Sequence, residues 1–460
     1  MYRPTIGLEI HAELKTRTKM FCACLNDPDE EAPNKNICPV CMAHPGSLPV
    51  INREAVKKVL LVGTALEAQL ADYSEFDRKN YFYPDIPKGY QLSQYKNPLV
   101  LGGSLKGIAI TRVHLEEDTA RSQHMGDPDA SVGAGKSLVD YNRAGVPLME
   151  LVTDPVIHEA KVAGDFAREL QLLLRTLHAG EANMEKGEMR VEANISVGKE
   201  GSLGTKVEVK NLNSFRSVER AIAYEVERQT KLLEKGEKVI QETRGWDEQK
   251  QATFSQRKKE SSHDYRYFPD PDLPSLKLSE IPEFSLEHLK KELPELPWQK
   301  RERLQSLGFL QEQDIEQLVA DIELSNLFDT AAEELKEPTM VKTLANFVLN
   351  DIAGQRKKDP KWPLPSASFL VEIVKKYQSG ELASPQAKSS IISGTLTQMT
   401  DAGLIPEVVT KIISTYPQVV ADYKAGKQAS LQFLIGQGMK ETTGSANPQV
   451  LKEAFLKAIS

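Results

Sequence analysis

Cysteine is scarce in this chain and confined to one place: its 460 residues include four, all between positions 22 and 41. No thiol remains elsewhere to act as a nucleophile or to staple distant parts of the fold. Long hydrophobic runs are also missing. No stretch approaches the ~20 continuous apolar residues of a membrane span, and the opening MYRPTIGLEIH has no apolar signal core. A cytoplasmic protein without a membrane partner is expected. Charge of one sign is not in large excess: the formal net charge of −7 argues against non-specific coating of nucleic acid, while leaving room for a local basic surface. A dinucleotide fingerprint is absent too. ASVGAGKS at 130–137 nearly matches a phosphate-binding P-loop, but Ala130 stands where the first glycine belongs and no hydrophobic strand precedes it. It reads as a surface loop.

The four cysteines are spaced as two pairs, Cys22-x-Cys24 and Cys38-x-x-Cys41, around a polar loop rich in Asp, Asn and Pro. Two such knuckles suit a closed tetrahedral zinc site, and four thiolates leave no open position for water, so the zinc would be structural. Four unrelated reduced thiols are the alternative. A redox pair is disfavoured because no βαβ unit surrounds it.

Ile6, Leu8, Ile10, Ala12 and Leu14 alternate with Gly7, Glu9, His11 and Glu13, the period of a strand. LKGIAITRVHLEE, EMRVEANISV and TKVEVKN read as further strands, and 52–70, 157–179 and 214–235 as helices. These do not alternate regularly, so an α+β class is expected over a doubly wound sheet. The Pro-rich FPDPDLPSLKLSEIPEFS marks a boundary, after which the pattern is helical. Three parts follow: a mixed body over 1–293, a helical domain over 294–405 and a small helical tail over 406–460.

Three clusters could carry chemistry. Glu9, His11 and Glu13 share one face of the first strand, although a solvated polar face would show the same alternation. HLEED puts His114, Glu116, Glu117 and Asp118 together; the consecutive acids repel, and either water or a cation would relieve them. In VPLMELV, Glu150 interrupts an apolar run, where a carboxylate needs a partner, a metal or an exit to solvent. Oxygen ligands with one imidazole suit Mg²⁺ or Mn²⁺ better than zinc. DRKNYFYPDIPKGYQLSQY and SHDYRYFPDPDLP are crowded with side chains that contact phosphates and bases, Arg266 among them; a tyrosine-rich strand with a proline turn is the plainer account.

IGLEIHAEL, FCAC…ICPVC, HPGSLPVIN, KNYFYPDIPKGYQLSQY, HLEEDTAR, VDYNRAGVPLMELV, EVKNLNSF, ETRGW and DYRYFPDPDLP together resemble one family, the B subunits of the aspartyl/glutamyl-tRNA(Asn/Gln) amidotransferase. They span most of residues 6–275, and FLIGQGMKETTGSANP resembles that family's tail. The resemblance implies a cradle-like catalytic domain with a zinc knuckle, an all-helical domain and a tRNA-binding tail. It implies a carbon–nitrogen ligase: the side-chain carboxylate of Glu-tRNA(Gln) or Asp-tRNA(Asn) is phosphorylated by ATP, and ammonia then displaces phosphate. By the same resemblance His11, Glu116 and Glu150 hold Mg²⁺, with Glu9, Glu117 and Glu208 as nearby acids binding through water. Lys79, Tyr81, Tyr83, Asn142, Arg190 and Arg266 contact substrate or nucleotide, and Cys22, Cys24, Cys38 and Cys41 hold structural zinc.

No glutaminase nucleophile is evident, so this chain is not expected to hydrolyse glutamine alone; the resemblance implies that ammonia comes from a partner amidase subunit through an internal channel, with a small third subunit completing a heterotrimer. Six tail lysines, Lys411, Lys424, Lys427, Lys440, Lys452 and Lys457, face only four acids there, an excess that suits tRNA phosphates. Two departures from the family stand out: 122–137 looks inserted, and Gly438 replaces a β-branched residue, which would loosen a tail helix by ~1 kcal/mol. A zinc-stabilised RNA-binding scaffold without catalysis is the alternative function. A stand-alone metal hydrolase is disfavoured by the long helical extension.

Overall fold

A computed structural model describes residues 2–125, 136–199, 201–258, 265–396, 404–442, 446 and 448–459. Most of the expected insertion and of the P-loop-like stretch lies outside the described residues, as does the end of the RKKE run at 257–260. The chain divides into two compact units, Met1–Pro297 and Trp298–Ser460.

The first unit is mixed α and β. Its framework is a sheet containing β1 (Tyr2–Glu13), β2 (Ile108–Glu117), β3 (Pro147–Thr153), β4 (Met189–Lys199), β5 (Val207–Leu212), β6 (Glu242–Asp247) and β7 (Ala252–Lys258). Their spatial order is β7-β6-β5-β4-β1-β3-β2, continued by the short strands Val100–Leu101 and Gln69–Leu70. Pairing is antiparallel except between β5 and β6, which run parallel and are joined by a helix, as a parallel crossover requires.

Alternation along β1 decides which way each side chain points. Ile6, Leu8, Ile10 and Ala12 are fully buried, on the face covered by helices α1 (Ala160–Thr176) and α2 (Phe215–Glu234). Glu9, His11 and Glu13 take the other face. That face is approached by a ribbon of Asp77–Asn80, Tyr90–Ser93 and Phe268–Pro269, which brings the two aromatic stretches of the sequence together. Arg78 ties the ribbon: its Nε donates to Asp270 at 2.6 Å, its Nη2 to Asp272 at 3.1 Å, and its guanidinium lies 4.4 Å from the Tyr90 ring centre.

The second unit is helical throughout its described residues. Within its last segment Val409, Ile412, Leu431, Leu434, Leu451 and Phe455 form a core. Gly438 belongs to a close approach here: a Cβ at this position would meet Leu451 at 3.1 Å and Phe455 at 3.3 Å. The expected loosening of the helix is therefore set against tighter contact between Gln428–Glu441 and Pro448–Ile459.

Candidate metal centres

Strand register assembles the first cluster. His11 on β1 lies opposite Glu150 on β3, and Glu150 lies opposite His114 on β2. His11 Nε2 is 3.4 Å from Glu150, 3.7 Å from Glu116 and 3.8 Å from Glu9. His114 Nε2 is 3.3 Å from the same oxygen of Glu150, and Arg112 Nη2 is 3.5 Å from the other. Ser93 on the ribbon donates to Glu116 at 3.1 Å. Ligand atoms of Glu9, His11 and Glu150, and of His114, Glu116 and Glu150, lie within 4.8 Å of one another. Mixed imidazole and carboxylate donors converging this closely fit a divalent cation.

The electrostatics show the crowding. Burial alone would lower the pKa of His11, but its hydrogen bond to Glu150 and the charges of Glu150 and Glu116 raise it to about 9. Burial and the charges of Glu150 and Glu192 lift Glu9 to about 6. Burial would raise Glu150, yet His114 and His11 hold it well below the ordinary carboxylate range. Lys79 stands beside this group: burial disfavours its charge, and the fields of Glu116, Tyr267 and Glu150 overcome that and raise its pKa. Its Nζ is 5.2 Å from the Tyr265 ring centre and 6.0 Å from that of Tyr81. Burial likewise raises Tyr81.

Other candidates separate from this group. Glu117 is engaged elsewhere: it accepts from Lys88 Nζ at 2.6 Å and from Leu92 N–H at 2.9 Å. Glu208 joins Glu9 and Glu192 in an adjacent acidic trio, accepting from Thr243 at 2.8 Å, while Lys210 pairs with Glu192 at 2.8 Å. Arg190 is engaged by Asp118 at 3.1 and 3.2 Å. Asn142 is fully buried; it donates to Ala32 O at 2.8 Å and accepts from Asn36 N–H at 2.9 Å, which uses its amide to strap the loop between the cysteine pairs. Tyr83 and Arg266 are exposed. Local sequence does not single out His114 and Arg112 as neighbours of Glu150. Only register brings them there, although His114 stands within the HLEED motif.

The four cysteine sulfurs form a second group, all within 4.8 Å of one another. Cys38 N–H donates to Cys41 Sγ at 3.1 Å. A hydrogen bond from Cys22 holds Cys41 down at about 5, while burial pushes Cys24 up to about 12. Cys41 ionises readily while Cys22 and Cys24 resist, an imbalance that a shared cation would relieve. Buried Lys19 braces the site by donating to Asn36 O at 2.7 Å and Tyr141 O at 3.1 Å. Four clustered thiols are compatible with structural zinc. A cavity of about 260 Å³ lined by Cys41, Lys88, Tyr90 and Glu117 lies beside this knuckle. The imidazole–carboxylate group does not line it.

This arrangement of sheet, cation-fitting cluster and thiol knuckle belongs to a described class of catalytic domain: residues 4–282 match the family model for the GatB/GatE catalytic domain, and residues 389–459 match that for the GatB domain. Full-length relatives agree. The B subunit of the aspartyl/glutamyl-tRNA(Asn/Gln) amidotransferase of Thermotoga maritima is 42% identical, over 100% of this chain and 99% of the relative. The protein of the same name from Thermus thermophilus is also 42% identical, with the same coverage, and that of a Picosynechococcus strain is 40% identical, over 100% and 98%. The chain belongs to the family of aspartyl/glutamyl-tRNA(Asn/Gln) amidotransferase B subunits. No described helix is long and apolar enough to cross a membrane.

Proposed function

We propose that this chain activates the side-chain carboxylate of Glu-tRNA(Gln), Asp-tRNA(Asn) or both by ATP-dependent phosphorylation, and then directs ammonia onto it. The observation that carries this reading is the convergence of His11, Glu116, Glu150 and His114 beside Lys79 on one sheet face. A carboxylate is a poor acceptor for ammonia, whereas a carboxyl phosphate offers a leaving group.

In this reading His11, Glu116 and Glu150 hold Mg²⁺, and Glu9 and Glu208 lie close enough to act through water. When bound, Mg²⁺ supplies neutralisation of triphosphate charge as the phosphoryl group moves. Lys79 presents a cation to the phosphates, and Tyr81, with exposed Tyr83 and Arg266, offers surface for base or substrate contact. Arg190 acts through Asp118, Asn142 through the knuckle loop, and Glu117 through its pair with Lys88. Cys22, Cys24, Cys38 and Cys41 hold structural zinc. Residues 1–293 form the catalytic body, 294–405 a helical domain and 406–460 a tRNA-binding tail. The partners are an amidase subunit that supplies ammonia from glutamine, a small third subunit, and misacylated tRNA, in the cytoplasm.

The test uses the assembled complex with Glu-tRNA(Gln), ATP, Mg²⁺ and an ammonium salt. Glu150→Gln should lower both amide formation and aminoacyl-tRNA-dependent phosphate release by roughly 10²-fold or more, while tRNA binding persists. A variant that still activates substrate at the normal rate would remove Glu150 from the reaction. An unsubstituted complex that binds tRNA but releases no phosphate would favour a zinc-stabilised RNA-binding scaffold.

A further inference from the structure

Phosphoryl transfer places negative charge on the moving group, and a fixed guanidinium is well suited to meet it. Two arginines flank the imidazole–carboxylate cluster. Arg190 lies opposite His11 in the register of β1 and β4, but its guanidinium already makes two bonds to Asp118, at 3.1 and 3.2 Å. Arg112 differs. It stands two residues before His114 on β2, so alternation sets it on the face that carries His114 and Glu116. Its side chain is 32% exposed, and Nη2 reaches Glu150 at 3.5 Å, the outer limit of a hydrogen bond. Its buried Nε–H has no acceptor among the described residues. A buried donor left unpaired beside a carboxylate is costly, and it marks a guanidinium whose bonding capacity is not fully used among the described residues. Glu150 does not depend on it, because His11 and His114 both contact the opposite carboxylate oxygen.

We infer that Arg112 is a catalytic residue that binds the transferred γ-phosphoryl group of ATP. This rests on the activation reading above. In the step, a substrate carboxylate oxygen forms a bond to the γ-phosphorus while the bond from phosphorus to the β,γ-bridging oxygen breaks. ADP leaves with that electron pair, and the products are a carboxyl phosphate and ADP. Arg112 stays protonated throughout and donates to the equatorial oxygens.

The experiment compares Arg112→Gln, Arg112→Lys and Arg112→Ala in the assembled complex with Glu-tRNA(Gln) and ATP. Three readouts are followed: kcat for phosphate release, Mn²⁺ affinity by electron paramagnetic resonance, and rescue by guanidinium ion. Arg112→Gln should lose about 10²- to 10³-fold in kcat while Mn²⁺ affinity stays within about threefold. Arg112→Lys should recover part of the rate, since a point charge lacks the planar fork. Added guanidinium should raise the rate of Arg112→Ala by about tenfold or more. A kcat for Arg112→Gln within about threefold of the unsubstituted complex would overturn the proposal. So would a loss of Mn²⁺ affinity in proportion to the loss of rate, which would make Arg112 a support for Glu150. Absence of aminoacyl-tRNA-dependent phosphate release in the unsubstituted complex, with Mn²⁺ still bound, would overturn the activation reading itself and this one with it.

Discussion

Two buried carboxyls, Glu13 and Asp118, show how neighbours divide protonation between like groups. Burial works against the charge of Asp118, but Arg190 and Arg143 overcome it and hold the carboxyl at about 2. Glu13 is raised to about 8, first by burial and then by the charge of Asp118 and its hydrogen bond to it. At neutral pH the pair therefore keeps one proton, on Glu13. Because its folded pKa lies above the unfolded value, Glu13 favours the folded state fully below about pH 4.5, and that contribution is lost as pH rises towards about 8. Glu13→Gln should remove this slope. Its urea midpoint, measured relative to the unsubstituted chain, should improve between pH 5 and pH 8; a constant offset would contradict the assignment. At this scale the sequence exposed part of the site. Glu150 was legible because a carboxylate inside VPLMELV demands an explanation. The proximity of Arg112 and His114 to Glu150 was not, because nothing local to β2 says which residue of β3 it will face.

Among the elements, period and composition carried most of the information. The alternation from Ile6 appears in β1, Tyr2–Glu13, and the helical pattern over 214–235 appears as Phe215–Glu234. Ser214 caps that helix by accepting from Ser217 N–H. Register was hidden, since it arises from pairing across more than a hundred residues and a shift of one position would turn His11 away from Glu150. The knuckle loop was legible as a thiol cluster but not in its bracing. The sequence pointed to Asn142 as a substrate contact and did not show that its amide also bridges Ala32 and Asn36. Asn142→Ala removes two hydrogen bonds, to the Ala32 carbonyl and from the Asn36 N–H. It should cost about 1–3 kcal/mol in urea unfolding and lower zinc retention by elemental analysis, with Mn²⁺ binding at His11 unchanged. Intact zinc and stability, with ATP or tRNA affinity lost, would restore Asn142 to substrate contact.

For the whole molecule, modest net charge and the shift from mixed to helical pattern anticipated a chain of distinct parts. Two of the tail's six lysines already have carboxylate partners, since Lys411 pairs with Glu441 and Lys427 with Asp422 at 3.0 Å. The imidazole–carboxylate cluster lies where β1, β3 and β2 pass side by side in the first unit, and the proposed reaction requires one ion there. Anomalous diffraction from a crystal of the full chain soaked in Mn²⁺ and ATP measures it directly. The predicted result is a manganese peak bonded to His11, Glu116 and Glu150, with the triphosphate on its open side. Manganese bound elsewhere, with those three side chains free of it, would contradict the account.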